Sequence, residues 1–166
     1  MSGGDVSAFN ELSEDHARAG LTTCLNVPRW VDTVLAGRPF ADMAALHETA
    51  SAAAAHLDDA ELERALAGHP RIGEKASSPD HDAELSRREQ GGVDPADTNI
   101  VAEILAGNQA YEAKFDRVFL IRAAGRSATQ IRDELHRRLD NDEASEREET
   151  VAQLREIALL RLRTLA

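Results

Sequence analysis

Three places in this sequence put side chains capable of proton transfer or polar recognition where a plain helical protein has no need of them. The first is Gly68-His69-Pro70-Arg71-Ile72-Gly73. A glycine closes the preceding helix and a proline biases His69 toward extended backbone. An imidazole that titrates near neutrality is thereby held on a stiff loop, where it can give or take a proton. A loop histidine with no role fits the same residues. The second place is Ser86-Arg87-Arg88-Glu89-Gln90. On a helix, positions i, i+3 and i+4 share a face, so Ser86, Glu89 and Gln90 present a hydroxyl, a carboxylate and an amide together, a set able to hydrogen-bond a polar heterocycle. The same spacing describes a solvated, charged helix end. The third is Arg161. At roughly 100° per residue, Val151, Leu154, Ile157, Ala158, Leu162 and Leu165 fill an arc about 140° wide, with Arg161 inside it and Arg163 pointing almost the other way. A guanidinium on a core-facing stripe needs an anionic or carbonyl partner, because a buried unpaired charge is very costly. A ligand contact, an interhelical salt bridge and a snorkelling stem all remain open for it.

Other chemistries lack their residues. His16, His47, His56, His69, His81 and His136 include no pair at helical metal-ligand spacing, and there is no HExxH, GxGxxG, Walker loop or GxSxG. The single cysteine, Cys24, excludes an intrachain disulfide and a cysteine zinc cluster. It lies in the apolar stretch Leu21 to Leu25 and reads as a buried structural thiol. No metal and no cofactor is expected, which leaves reactions that need only proton transfer and polar positioning.

The elements that must position these groups are helical almost throughout. Ser13 with Glu14 and Asp15 predicts a helix start, and Pro28 with Gly37 brackets a second helix. From Asp42, the set Met43, Leu46, Ala50, Ala53, Ala54 and Leu57 predicts one amphipathic helix of more than four turns. Asp58 or Asp59 then opens another that ends at Gly68. Ser78-Pro79-Asp80 predicts a helix through about Gln90, and Asp94-Pro95 starts the next, which Gly107 can divide. Val118 to Ile121 is the one extended run and, as a single short segment, reads as a connector. Ser127 with Gln130 forms a capping box, and the last helix covers about Asp142 to Leu165. The expectation is all-α: about eight helices in a single domain, 1–166, with one short extended segment near 118–123.

Of the 166 residues, 19 are Lys or Arg and 30 are Asp or Glu, a formal net charge of −11. That balance and only six aromatic residues oppose a nucleic-acid partner. No apolar run reaches the roughly 20 residues that span a bilayer, and residues Met1 to Asn10 show no signal peptide. Nor does the chain close on a peroxisomal address, so a cytoplasmic, membrane-independent protein is expected. Between Lys114 and Arg138, however, seven Lys and Arg face three Asp and Glu, a locally positive stretch suited to a small anion.

These places, taken with Asn108-Gln-Ala-Tyr111-Glu-Ala-Lys114-Phe115, Phe119-Leu-Ile121 and Gly125-Arg126-Ser127, resemble the 2-oxo-4-hydroxy-4-carboxy-5-ureidoimidazoline (OHCU) decarboxylase family of urate degradation. The likeness runs from about Phe9 to Leu165 and rests on the ordered set, no single motif being specific. It implies an all-α, cofactor-free carboxy-lyase that takes a small-molecule substrate, yields (S)-allantoin and assembles as a homodimer. It further implies that His69 and Glu89 are catalytic, with either as proton donor. Pro70, Ser86, Gln90, Arg161 and the run Phe119, Leu120, Ile121, Arg122 and Ala123 would bind the substrate, the run through its backbone. One departure is visible: the family often reads Lys-Phe-Gly-Phe-Pro-Phe where Phe115 is here followed by Asp116-Arg117-Val118. The reading from another class is a non-catalytic, acidic helical module that binds a protein partner.

Overall fold

The computed structural model describes residues 5–69 and 98–165. Among these residues there are eight helices and no strand: α1 (Ser7–Glu11), α2 (Glu14–Cys24), α3 (Pro28–Ala36), α4 (Met43–Ala53), α5 (Asp59–Ala67), α6 (Thr98–Phe115), α7 (Ala128–Leu139) and α8 (Glu143–Leu162). The chain is all-α, as its punctuation indicates. The helix expected from Ser78 to Gln90 and the start at Asp94-Pro95 lie outside the described residues. No described helix is long and apolar enough to cross a membrane. The chain forms two compact units, one of Met1–Ala65 with Leu154–Ala166 and one of Leu66–Gln153.

In the first unit the local signals act as sequence chemistry dictates. Ser13 accepts the His16 N–H at 3.2 Å and opens α2. Pro28 occupies the first turn of α3, which stops at Gly37. Trp30 is fully buried and donates its indole N–H to the Ala50 carbonyl of α4 at 2.9 Å, satisfying the one polar atom its burial would otherwise strand. The helix expected from Asp42 to Leu57 is shorter than its apolar pattern. Asp42 caps it by accepting the Ala45 N–H at 2.8 Å, but α4 ends at Ala53. Asp58 then takes the Glu61 N–H at 2.7 Å while Glu61 takes the Asp58 N–H at 3.0 Å. This reciprocal cap starts α5 immediately after Leu57. Leu57 is buried without being helical, so the periodicity reported burial beyond the helix that suggested it. The short α1, which buries Phe9, has no counterpart among the expected helices.

The second unit closes around Ile104, Tyr111, Phe115, Phe119, Ile121, Ala123, Ile131 and Leu135. Helix α6 runs unbroken through Gly107. That glycine serves a close approach: a Cβ built on it would lie 2.5 Å from Cδ2 of Leu135 on α7. The capping box expected at Ser127 and Gln130 is present, with bonds of 3.1 and 2.8 Å. Asp142 caps α8 by accepting the Ser145 N–H at 2.7 Å. Between α6 and α7, residues 118–123 are neither helix nor strand, yet Phe119, Leu120, Ile121 and Ala123 are all buried. A buried segment without regular structure must find partners for its backbone elsewhere.

Candidate functional site

The irregular run is the part of the expected site whose geometry is best defined. Its backbone is held by side chains from two helices. The Leu120 carbonyl accepts from Arg138 Nη1 of α7 at 2.6 Å, and the Arg122 N–H donates to Gln153 Oε1 of α8 at 2.8 Å. The Arg122 and Ala123 carbonyls accept from the side chain and backbone of Arg126, at 2.9 and 3.1 Å. Among the described residues, no protein group pairs the N–H or C=O of Ile121, which is 3 % exposed. Buried backbone groups are nearly always hydrogen-bonded, so Ile121 stands out as a residue whose donor and acceptor the described residues leave unused.

Arg138 is itself buried. Its Nε donates to Glu146 Oε1 at 2.8 Å, its Nη2 reaches both Glu146 Oε1 and Thr150 Oγ1, and its guanidinium lies 4.6 Å from the Phe119 ring centroid. Glu146 also accepts from the Tyr111 hydroxyl at 2.5 Å and from Asn141 Nδ2 at 3.0 Å. Burial, and then the bond to the Glu146 carboxylate, push the Tyr111 hydroxyl up to about 12, so it stays a neutral donor. Sequence reasoning missed this cluster, counting Arg138 only as part of a basic stretch. The signal was there: Arg138 follows Ile131 and Leu135 at i+7 and i+3 on the same apolar stripe.

His69 follows Gly68 at the end of α5, half-buried, and its N–H donates to the Leu66 carbonyl at 3.0 Å, continuing the last turn. Pro70, Ser86, Glu89 and Gln90 lie outside the described residues. Arg161 is 3 % exposed, and Arg163 is exposed, as the helical arc requires. Nη1 of Arg161 donates to the Thr23 carbonyl in the last turn of α2 at 2.9 Å. The partner demanded by an inward guanidinium is thus in part a helix C-terminus, where carbonyls lack intrahelical donors and the dipole favours a cation. His69 and the run belong to the unit from Leu66 to Gln153, and Arg161 to the other. Among the described residues no group of three or more His, Cys, Asp or Glu side chains is placed to hold a metal ion.

The departure at Asp116 has a structural reading. This residue follows α6 with φ of 54°, the left-handed conformation in which helices commonly end and which Asp tolerates better than most side chains. Aspartate here adopts a backbone that glycine would supply without strain.

Comparison with known proteins accords with this architecture. Among curated proteins none matches. A solved structure described as OHCU decarboxylase in the presence of (S)-allantoin aligns over 93% of this chain and 98% of its own, with a TM-score of 0.70 at 19% identity. A second, described as (S)-allantoin synthase, aligns over 96% of this chain with a TM-score of 0.70 at 12% identity. The present chain spans about half of that second protein, 53%. At such identities the likeness is one of fold. The sequence model of OHCU decarboxylase matches residues 10–163, and the chain therefore belongs to the OHCU decarboxylase family, carboxy-lyases of urate degradation.

Proposed function

We propose that this chain, as a single domain over 1–166, carries out the cofactor-independent decarboxylation of OHCU to (S)-allantoin. The observation that carries the reading is the buried run at Phe119–Ala123, in which Ile121 has no protein partner for either backbone group among the described residues. A cyclic ureide presents N–H donors beside C=O acceptors, the complement of such a peptide. A cytoplasmic homodimer belongs to the same reading.

The chemistry needs no electron sink beyond the substrate. When the bond to the carboxylate breaks, its electron pair moves into the adjacent C=N, whose nitrogen takes a proton, and CO₂ leaves. The enol-like product then loses its hydroxyl proton to become a carbonyl while a proton is delivered to the ureido-bearing carbon, which sets the stereocentre. In this proposal His69 exchanges a proton with the hydroxyl or the ring, and Glu89 orients the histidine or the substrate. The alternative makes Glu89 the donor and His69 its electrostatic partner. Arg161, Gln90, Ser86 and Pro70, with the backbone of Phe119 to Ala123, hold the ring so that protonation reaches one face.

The test is to generate the unstable substrate in situ from urate and to follow the chirality of allantoin by circular dichroism. Accelerated formation of the (S) form is expected. Racemic product at the uncatalysed rate overturns the proposal in favour of a non-catalytic, acidic interaction module. General acid–base catalysis contributes about 10²- to 10⁴-fold, so His69→Asn should lower kcat by that order while the melting temperature stays unchanged. Wild-type turnover in this variant would take the proton-transfer role from His69.

A further inference from the structure

Two side chains flank Ile121, and they differ in how firmly they are held. On one side, Arg138 fixes the Leu120 carbonyl. Its planar guanidinium is immobilised by Glu146 and Thr150 and by the Phe119 ring, and Glu146 is in turn fixed by Tyr111 and Asn141. That carbonyl therefore has one available position. On the other side, the Arg122 N–H is held by Gln153 alone, at 2.8 Å. Gln153 is half-buried on α8, outside the apolar core, so its replacement does not open a cavity. A regular helix or strand would have consumed the backbone groups of Ile121 in its own ladder. Anchoring the neighbours by side chains holds the segment still and leaves the central residue's donor and acceptor unused.

We propose that Arg138 and Gln153 are positioning residues for ligand binding: by holding the Leu120 carbonyl and the Arg122 N–H, they fix the peptide groups of Ile121 for a ligand bearing an adjacent N–H and C=O. The inference rests on the reading of the run as the substrate's backbone contact. Neither side chain is assigned a contact with the substrate. They act by ordering the segment before binding, which removes the ordering cost from the binding step. Losing the Gln153 acceptor leaves the Arg122 amide without a partner and the run able to adopt alternatives, only some of which bind.

The experiment compares wild type with Gln153→Leu, which removes the acceptor, and Gln153→Glu, which puts a carboxylate oxygen in place of the amide oxygen at the same reach. KM and kcat are read from the (S)-allantoin signal, folding from the melting temperature, and the anchor itself from hydrogen exchange of the Arg122 amide by NMR. A neutral hydrogen bond contributes about three- to ten-fold to an equilibrium. Gln153→Leu should therefore raise KM by about that factor, with a smaller change in kcat, a fall in melting temperature of no more than a few degrees and faster Arg122 exchange. Gln153→Glu should restore KM and exchange together. An active wild type whose KM is unchanged by Gln153→Leu overturns this inference and leaves the proposed function standing. So do parallel losses of melting temperature and activity in both variants, which would show a structural role only. A wild type that does not accelerate the reaction overturns both.

Discussion

At the scale of single residues, Arg161 shows how far helical arithmetic reaches. Its inward phase follows from the spacing of Leu154, Ile157, Ala158 and Leu162 alone, and all four are buried beside it in sequence. Its partner could not be read, because Thr23 lies 138 residues away and offers a carbonyl, which every residue possesses. Arg161→Leu removes a charged donor from a carbonyl at the end of α2. Hydrogen bonds to charged groups contribute about 1.5 to 3 kcal/mol, so the melting temperature should fall by several degrees. If Arg161 also holds substrate, KM rises in the same variant, and a fall in melting temperature with unchanged KM would assign it to α2 alone. Arg138 was equally accessible to the same arithmetic. It was overlooked because a run rich in Arg invites a reading as solvated charge, whereas one of its members sits on the apolar stripe.

Among the elements, caps were the legible feature and lengths were less so. Ser13, Asp42, Ser127 and Asp142 each accept a backbone N–H three residues on, because the cap is a local bargain between a short polar side chain and an orphan donor. The end of α4 depends on a competitor, the cap at Asp58, and a buried Leu57 continues the apolar pattern past it. Gly107 suggested a break by its low helix propensity, but the reason for it is distant in the chain, at Leu135. Gly107→Ala gains about 1 kcal/mol of intrinsic propensity. It also drives a methyl group to 2.5 Å from a fully buried leucine, an overpacking that typically costs about 1 to 3 kcal/mol. We expect a net fall in melting temperature. A rise would show that Leu135 repacks without strain and that the close approach is not needed.

For the molecule as a whole, the charge of −11 describes solvated faces, while among the described residues stability is linked to pH by particular, placed groups. Arg137 draws the Glu134 and Glu149 carboxyls below their ordinary range, chiefly by direct hydrogen bonds. Their stabilisation is present above the usual carboxylate pKa and is lost as pH falls through their depressed folded values. These side chains are a third to a half exposed, so the acid limb should be shallow. Tyr111 works in the opposite direction. Its hydroxyl is raised to about 12 in the folded chain, so its contribution is complete below the ordinary tyrosine pKa and is lost as pH rises through the folded value. Melting temperature measured against pH should fall in that alkaline window, and Tyr111→Phe should flatten the fall. An unchanged alkaline limb would place its origin elsewhere. The division into two units left no trace in composition, since α8 crosses from Gln153 to Leu154 without glycine, proline or a change of apolar phase.

The sole thiol of the chain, Cys24, is 2 % exposed at the end of α2, next to the residue whose carbonyl Arg161 holds. A thiol-reactive dye added to the native protein therefore titrates one group per chain, and its rate measures how often that helix end opens. In Arg161→Leu this opening should quicken well before the global transition is reached. Labelling at the wild-type rate would show that the rest of the core, with no help from the arginine, keeps the helix end shut. The buried cysteine thus becomes a built-in clock for the bond between the inward arginine and the end of α2.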